Sequence, residues 1–319
     1  MLRSTQFVLR RQQRSSMPTI FRSLSTTQLI KSLRTSSGAG MMECKQALLE
    51  CGNNLDEALD WLRKYGSAKA TQKTAGRENS EGQVSVLMKS DYKSCTTMTV
   101  KSETDFASRS DLFTKFVEDV TNRVNTNTSS TTQKTFTEAE LLAMTDVKTC
   151  LDEAMVSIRE NLQLSSATQT TVQQESNFLN YYIHNKAPSS DWVGQIAAIV
   201  EIASSSPSPS PSPPSPDQLE IGRKLAMHVA AAKPSYATIE QIPTSTIEKE
   251  KEIMLEQMKD TNKPPEVMEK IVNGKLRKFY EENVLEEQGH MVEAENPKIK
   301  SFLKSQGLSL VNFVLHSIK

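Results

Sequence analysis

Apolar residues recur at spacings of three and four up to about residue 66, alternate at a spacing of two beyond it, and return to three and four past residue 108. Each change of period marks a change of element. Leu29, Ile30 and Leu33, then Ala47 and Leu48, then Leu55, Ala58, Leu59 and Leu62 give one apolar face each to three short helices, Thr27–Arg34, Met42–Glu50 and Leu55–Lys64. The breaks between them, Ser36-Ser37-Gly38-Ala39-Gly40 and Cys51-Gly52-Asn53-Asn54, carry cap chemistry. Gly52 and Gly66 can take the left-handed conformation that closes a helix, and Asn54 can accept from the free N–H groups that open the next. The stretch predicts a compact three-helix module.

After a basic connector, Val84–Lys89 and Thr97–Lys101 alternate around a polar turn at Asp91–Ser94, which predicts a β-hairpin. Leu112, Phe113, Phe116, Val117, Val120 and Val124 then form the stripe of a helix packed on that hairpin. A Ser/Thr/Asn loop follows over Asn125–Thr135, and a second helix carries Val147, Leu151, Ala154 and Ile158 on one face. The order then repeats: a strand at Tyr181–His184, a turn, a strand at Ile196–Ile202 and a helix at Leu219–Ala231. Ser204–Pro216 is nearly an alternation of Ser and Pro, the composition of an extended solvated insertion. Ser245–Lys259 and Pro265–Glu282 read as two charged helices with a narrow apolar seam, a projecting helical hairpin, and Leu308–Ile318 reads as a last strand.

The first acidic residue of the 319 is Glu43, behind Arg3, Arg10, Arg11, Arg14, Arg22, Lys31 and Arg34 among many Ser, Thr and Gln. Arg-rich, Ser-rich and acid-free, with scattered apolar residues, residues 1–25 are expected to be an organellar transit peptide, a disordered basic tail being the alternative. Removing its five arginines from a formally neutral chain leaves a net charge of about −5, which disfavours a dedicated nucleic-acid binder. Cys44, Cys51, Cys95 and Cys150 form no CxxC pair, and the four histidines are far apart in sequence, so neither a metal site nor a cofactor is expected.

Catalytic signatures are missing as well: there is no GxxxxGK[ST], no GxGxxG after a strand, no HExxH and no GxSxG, and no catalytic residue is expected. Lys101-Ser102-Glu103-Thr104-Asp105-Phe106-Ala107-Ser108 joins the hairpin to its helix. Read locally, Asp105 or Ser108 caps that helix and Phe106 tucks into the core.

Three segments nevertheless carry a family likeness. Ser37-Gly38-Ala39-Gly40-Met41-Met42-Glu43-Cys44-Lys45-Gln46-Ala47-Leu48 is similar to the Thr-Gly-Ala-Gly-Met-Met-Asp-Cys-Lys-Lys-Ala-Leu signature of elongation factor Ts. Glu103-Thr104-Asp105-Phe106 resembles that family's Thr-Asp-Phe-Val element, and Ala226–Pro234 its Met-His-Ile-Ala-Ala segment; weaker likeness extends the resemblance from about Gln28 onward. The resemblance implies an α+β protein: an N-terminal three-helix ubiquitin-associated-like module, a two-part α+β core with repeated hairpin-plus-helix units, and a helical-hairpin insertion. The expected boundaries are 1–25 transit peptide, 26–67 module, 68–82 connector, 83–180 first core subdomain, 181–244 second core subdomain with its insertion at 204–216, 245–288 helical hairpin, and 289–319 a segment returning to the core.

The resemblance also implies a job: guanine-nucleotide exchange on elongation factor Tu, bound in its GDP and nucleotide-free forms, with no direct contact to nucleic acid or membrane. Thr104, Asp105, Phe106 and Ala107 would enter the partner's nucleotide domain and disturb its magnesium, while Met41, Met42 and His228 would make further partner contacts; His184 would be structural. Burying a Phe ring contributes roughly 1.5–3 kcal/mol, and each ~1.4 kcal/mol of coupling changes nucleotide affinity about tenfold, reciprocally. Ala107 stands where the family has Val, which trims the wedge. The mitochondrial type, in the matrix, is the expected form, a plastid the alternative. The rival readings are an adaptor whose three-helix module binds ubiquitin or nascent chains without exchange activity, and a ribosome-associated RNA binder, which would need a basic face with exposed aromatics.

Overall fold

In a computed structural model of the chain, the described residues are 25–62, 79–126, 133–172, 174–204, 213–256 and 265–318. The expected transit peptide up to residue 24, the cap at Gly66, most of the connector, the middle of the Ser/Pro insertion and the turn of the helical hairpin lie outside them.

The N-terminal module is three helices, α1 (Thr26–Ser37), α2 (Met41–Glu50) and α3 (Leu55–Trp61). A capping box opens α1, with Ser25 and Gln28 each accepting from the other's backbone N–H, and Gly38 closes it at φ 68°. Asn54 caps α3 by accepting from Asp56 and Glu57. Leu33, Ala47, Leu48, Ala58 and Leu62 fill the small core, joined by Val156 from the larger domain. The module is therefore docked rather than tethered.

The larger domain has two antiparallel sheets facing each other, each backed by helices. In chain order its elements are β1 (Glu81–Met88), β2 (Ser94–Ser102), α4 (Asp105–Ser108), α5 (Asp111–Thr126), β3 (Gln133–Thr137), α6 (Glu138–Ala143), α7 (Thr145–Ile158), β4 (Gln163–Thr171), β5 (Asn177–His184), β6 (Val193–Gly194), β7 (Ile196–Ser204), α8 (Pro216–Ala232), α9 (Thr244–Glu256), α10 (Pro265–Asn283), α11 (Ile299–Ser305) and β8 (Leu308–Ser317). The first sheet runs β3-β4-β2-β1-β6 and the second β5-β7-β8. Alternation along each strand sends residues to opposite faces. On β2, Met98 and Val100 pack with Phe113, Phe116 and Val117 of α5; on β1, Val84 and Val86 meet Leu179, Ala197 and Ile199 of the second sheet. Ala198, Val200 and Ile202 point the other way, to Leu225, Ala226 and Val229 of α8. Between the sheets, Thr97 Oγ1 lies 3.0 Å from His316 Nε2.

Three expectations need correction. The Ser/Thr/Asn loop is shorter than Asn125–Thr135, because α5 continues to Thr126 and β3 begins at Gln133. Gln163–Thr171, read as no element, is an inner strand of the first sheet; its Ser and Thr residues are covered by pairing with β2 and β3, and Gln169 Nε2 donates to the Val124 carbonyl at 2.9 Å. The boundary between residues 180 and 181 falls inside β5, whose pairing with β7 starts at Asn177, and β6 crosses back to pair with β1. The helical hairpin, α9 against α10, has the narrow seam its charge pattern predicts: Met254 and Val272, flanked by Met268, Ile271 and Phe279.

Candidate functional site

The segment between β2 and α5 is a single helical turn with one side anchored and the other bare. Thr104 caps α4 through its side chain, accepting from the Ala107 N–H at 3.2 Å, and Ser110 caps α5 by accepting from the Phe113 N–H at 3.2 Å. These two residues do the capping expected of Asp105 or Ser108. From below, Gln83 Nε2 donates to the Ser108 carbonyl at 2.7 Å and to Thr114 Oγ1 at 3.1 Å. Ala107 and Ser108 thus face the strands and are buried, while Phe106 turns away from them and is 85% exposed. The local expectation that Phe106 tucks into the core is wrong, because the anchored side of the turn is taken by its two small neighbours. Ala107 supports the turn rather than extending an exposed wedge. Asp105 is half exposed and pairs loosely with Arg109 at 3.7 Å.

The end of α7 ties this turn to the three-helix module. Arg159 closes α7 in the left-handed conformation at φ 67°, and the chain then presents Glu160 to Thr104. Glu160 accepts from the Thr104 N–H at 3.1 Å and from its hydroxyl at 2.6 Å, and Glu103 Oε1 accepts from the Asn161 N–H at 3.2 Å. On the other side, the Ser157 hydroxyl donates to the Ser37 carbonyl at 3.3 Å. Gly38 sits so close that a Cβ there would lie 3.0 Å from Ser157 Oγ, and one on Gly40 would lie 3.5 Å from the Arg159 guanidinium carbon. Gly40 leads directly into α2, where Glu43 Oε2 accepts from the Gly40 N–H at 3.0 Å and Met41 and Met42 are 59% and 73% exposed. Residues 157–161 therefore bracket two segments far apart in sequence, and three large apolar side chains, Met41, Met42 and Phe106, stand out from them. Isolated exposed apolar residues are ordinary; several held by one bracket point to an interaction surface.

His228 is placed differently. It is 1% exposed, with Nε2 2.9 Å from Gln288 Oε1 and Nδ1 accepting from the Met291 N–H at 3.3 Å. That pair of contacts fixes the Nε2–H tautomer, since Nδ1 must accept. The His290 ring packs edge-on at 5.6 Å; burial, with His228 as a further cause, pushes His290 down to about 4, and burial lowers His228 as well. The expected direct partner contact of His228 does not fit this geometry, because the ring lies beneath the 289–298 segment. The large apolar side chain that this segment exposes is Met291, at 62%. His184, on β5, contacts the Tyr182 hydroxyl at 3.4 Å. The sequence reading missed Ser157 and Glu160, whose partners are 120 and 56 residues away. It also placed Leu112 in the core stripe of α5, whereas Leu112 is 60% exposed in that helix's first turn. Among the described residues no group of three or more His, Cys, Asp or Glu could hold a metal, and no helix is long and apolar enough to cross a membrane.

Comparison with known proteins agrees with the resemblance. The sequence profile of the family described as Elongation factor TS matches residues 103–318, more than half of the chain. The chain is similar to an elongation factor Ts of Rhodospirillum rubrum, 36% identical with 89% of this chain and 87% of that protein covered. It is similar to one of Aquifex aeolicus at 34%, covering 88% and 92%, and to one of Brucella anthropi at 35%, covering 84% and 82%.

Proposed function

Because this chain belongs to the elongation factor Ts family, we propose that its exposed Phe106, with Asp105, is the wedge that opens the nucleotide site of an organellar elongation factor Tu. The protein is a nucleotide-exchange factor in translation elongation that acts through protein binding, not a catalytic enzyme. The observation that carries the proposal is the contrast within one helical turn: Ala107 and Ser108 buried as a base, Phe106 85% exposed as its tip. A ring held in solvent gains roughly 1.5–3 kcal/mol on entering a slot, and it gains this only from a partner conformation in which the slot is open. GDP is held by a phosphate cradle and Mg²⁺, so displacing the metal's surroundings weakens its clamp. By reciprocity, GTP rebinding then expels the factor.

On this reading Asp105 brings a carboxylate to the partner's magnesium site, Met41 and Met42 extend the apolar contact, and Thr104 and Ala107 hold the turn. Met291 takes the contact expected of His228, which positions it. The partner is engaged in its GDP-bound and nucleotide-free forms. The adaptor reading fits less well, since the three-helix module shares Val156 with the larger domain and is bracketed to the Phe106 turn.

We place the protein in the mitochondrial matrix because residues 1–25 are Arg-rich and acid-free. Release of fluorescent GDP from purified organellar elongation factor Tu tests the function: acceleration by the chain is expected, and none with the cognate partner would refute it. Uptake by isolated mitochondria rather than plastids, with loss of the leader, tests the location.

A further inference from the structure

The edge of a β-sheet is a row of backbone N–H and C=O groups open to pairing, and folded proteins keep such edges short, charged or covered. Three of the edges in the two sheets follow that rule. β3 has five residues, Lys134 among them, and β6 has two. β5 is longer, but groups that it turns away from β7 are taken. Lys93 Nζ donates to the Asn177 carbonyl at 2.7 Å, the Leu179 N–H donates to the Tyr92 carbonyl at 2.8 Å, and the Tyr181 N–H donates to Asn180 Oδ1 at 2.7 Å.

The remaining edge, β8, is different. It is ten residues long, and residues 308–318 include no Asp, Glu, Lys, Arg or Pro. Every residue from Leu310 to Ser317 is part-exposed, whereas Ala197–Ile202 of the adjacent β7 are buried. Leu179 turns its N–H away from β7, so its register partner Glu201 turns toward β8, and by alternation Ile199 and Ala197 do the same. Val314 and His316, opposite those two, therefore bond back to β7, and the N–H and C=O of Phe313 and Leu315 point outward. Gln241 Nε2 donates to the carbonyl of Val311, the bulged residue, at 3.2 Å. Among the described residues none bonds the outward groups of Phe313 or Leu315.

We propose that β8 is a self-association edge, on which two copies of the chain pair antiparallel about a two-fold axis at Val314. Phe313 then exchanges both backbone hydrogen bonds with the partner's Leu315, and Leu315 with the partner's Phe313, so that two three-stranded sheets join into one. The occupant is a second copy because the strand is self-complementary in this register. Large apolar residues flank Val314 on either side, and polar Asn312 and His316 follow at the next positions, so pairing sets apolar against apolar and polar against polar. With no charge on the strand, like charges never meet across the axis. Phe313 and Leu315 both lie at the margin of the core beneath α8, so the two meet on one face of the joined sheet. The proposal uses none of the residues assigned to the exchange contact and does not depend on that reading. A single strand pair buries less than the roughly 1,200 Å² of a stable interface, so the dimer is reversible.

The test combines sedimentation of the full chain from about 1 μM to 1 mM with amide hydrogen exchange over the same range. The weight-average mass should rise toward twice that of the monomer, and the Phe313 and Leu315 amides should gain about tenfold or more protection, while Val314 and His316 are protected throughout. Leu315→Pro deletes an N–H that the monomer does not use, at an edge position where Pro is tolerated, and should weaken dimerisation about tenfold or more. The wild-type exchange readout stands even if that variant does not fold. A chain that stays monomeric with the Phe313 and Leu315 amides unprotected overturns the proposal, as does a folded Leu315→Pro protein that dimerises like wild type. Protection of those amides only when elongation factor Tu is added also overturns it, and gives the edge to that partner instead.

Discussion

Replacing Glu160 with Ala should slow exchange while leaving the exposed side chains Asp105, Phe106, Met41 and Met42 in place. Glu160 holds the Thr104 N–H at 3.1 Å and its hydroxyl at 2.6 Å, and that hydroxyl in turn caps α4. Hydrogen bonds to a charged group are worth roughly 1.5–3 kcal/mol each when well buried, and both Glu160 and Thr104 are only part-buried. Discounted for solvent screening, the pair contributes about 1–2 kcal/mol to holding the turn. The melting temperature should fall by roughly 2–4 °C per kcal/mol for a domain of this size. The competent fraction of the turn, and with it GDP release at subsaturating factor, should fall by up to about tenfold. Glu160→Gln, which keeps an acceptor and loses the charge, should lie between. The assays are stopped-flow release of fluorescent GDP and hydrogen exchange at the Thr104 amide. If Glu160→Ala loses protection at Thr104 yet exchanges at the wild-type rate, the bracket does not organise the wedge and the reasoning fails.

Gly38→Ala should destabilise the docking of the three-helix module by about 1–2 kcal/mol, since the position needs φ 68° and the new methyl meets Ser157 Oγ; faster limited proteolysis ahead of residue 79 would show it. His290 sits near 4 in the folded state, below its ordinary value of about 6.5 when unfolded. Its folded pKa is depressed, so the stability it confers is complete above about 6.5 and is lost as pH falls toward 4, by roughly 3 kcal/mol at most. Urea denaturation at pH 7.5 and 5 should show this loss, and His290→Gln should flatten it. Among the cysteines, Cys51 is part-exposed, whereas Cys95 and Cys150 are buried and pushed up to about 12 and about 11, so a thiol reagent should label Cys51 well before those two.

Elements that repeat an apolar period were legible in the sequence. The stripe from Phe113 to Val124 and the alternation of β7 leave few alternatives, and cap residues such as Asn54 set their limits. β4 was not legible because its Thr168, Gln169 and Thr170 are buried through hydrogen bonds to neighbouring strands and to α5, a reason that exists only after folding. Of the site, residue identity showed in the motif but exposure did not. Whether Phe106 faces in or out depends on Gln83 and Glu160 holding the opposite side of its turn, contacts 25 and 56 residues apart in sequence. His228 illustrates the reverse case, a motif residue whose ring is sealed by Gln288 and Met291 from a segment with no pattern of its own.

The central claim is tested most directly by Phe106→Ala in the GDP-release assay, with folding checked by melting temperature. Removing a side chain 85% exposed should leave stability within about 0.5 kcal/mol of wild type, while stimulated release should drop by about tenfold or more as the ring's burial in the partner is lost. A folded Phe106→Ala protein that still drives GDP off elongation factor Tu at the wild-type rate would contradict the account.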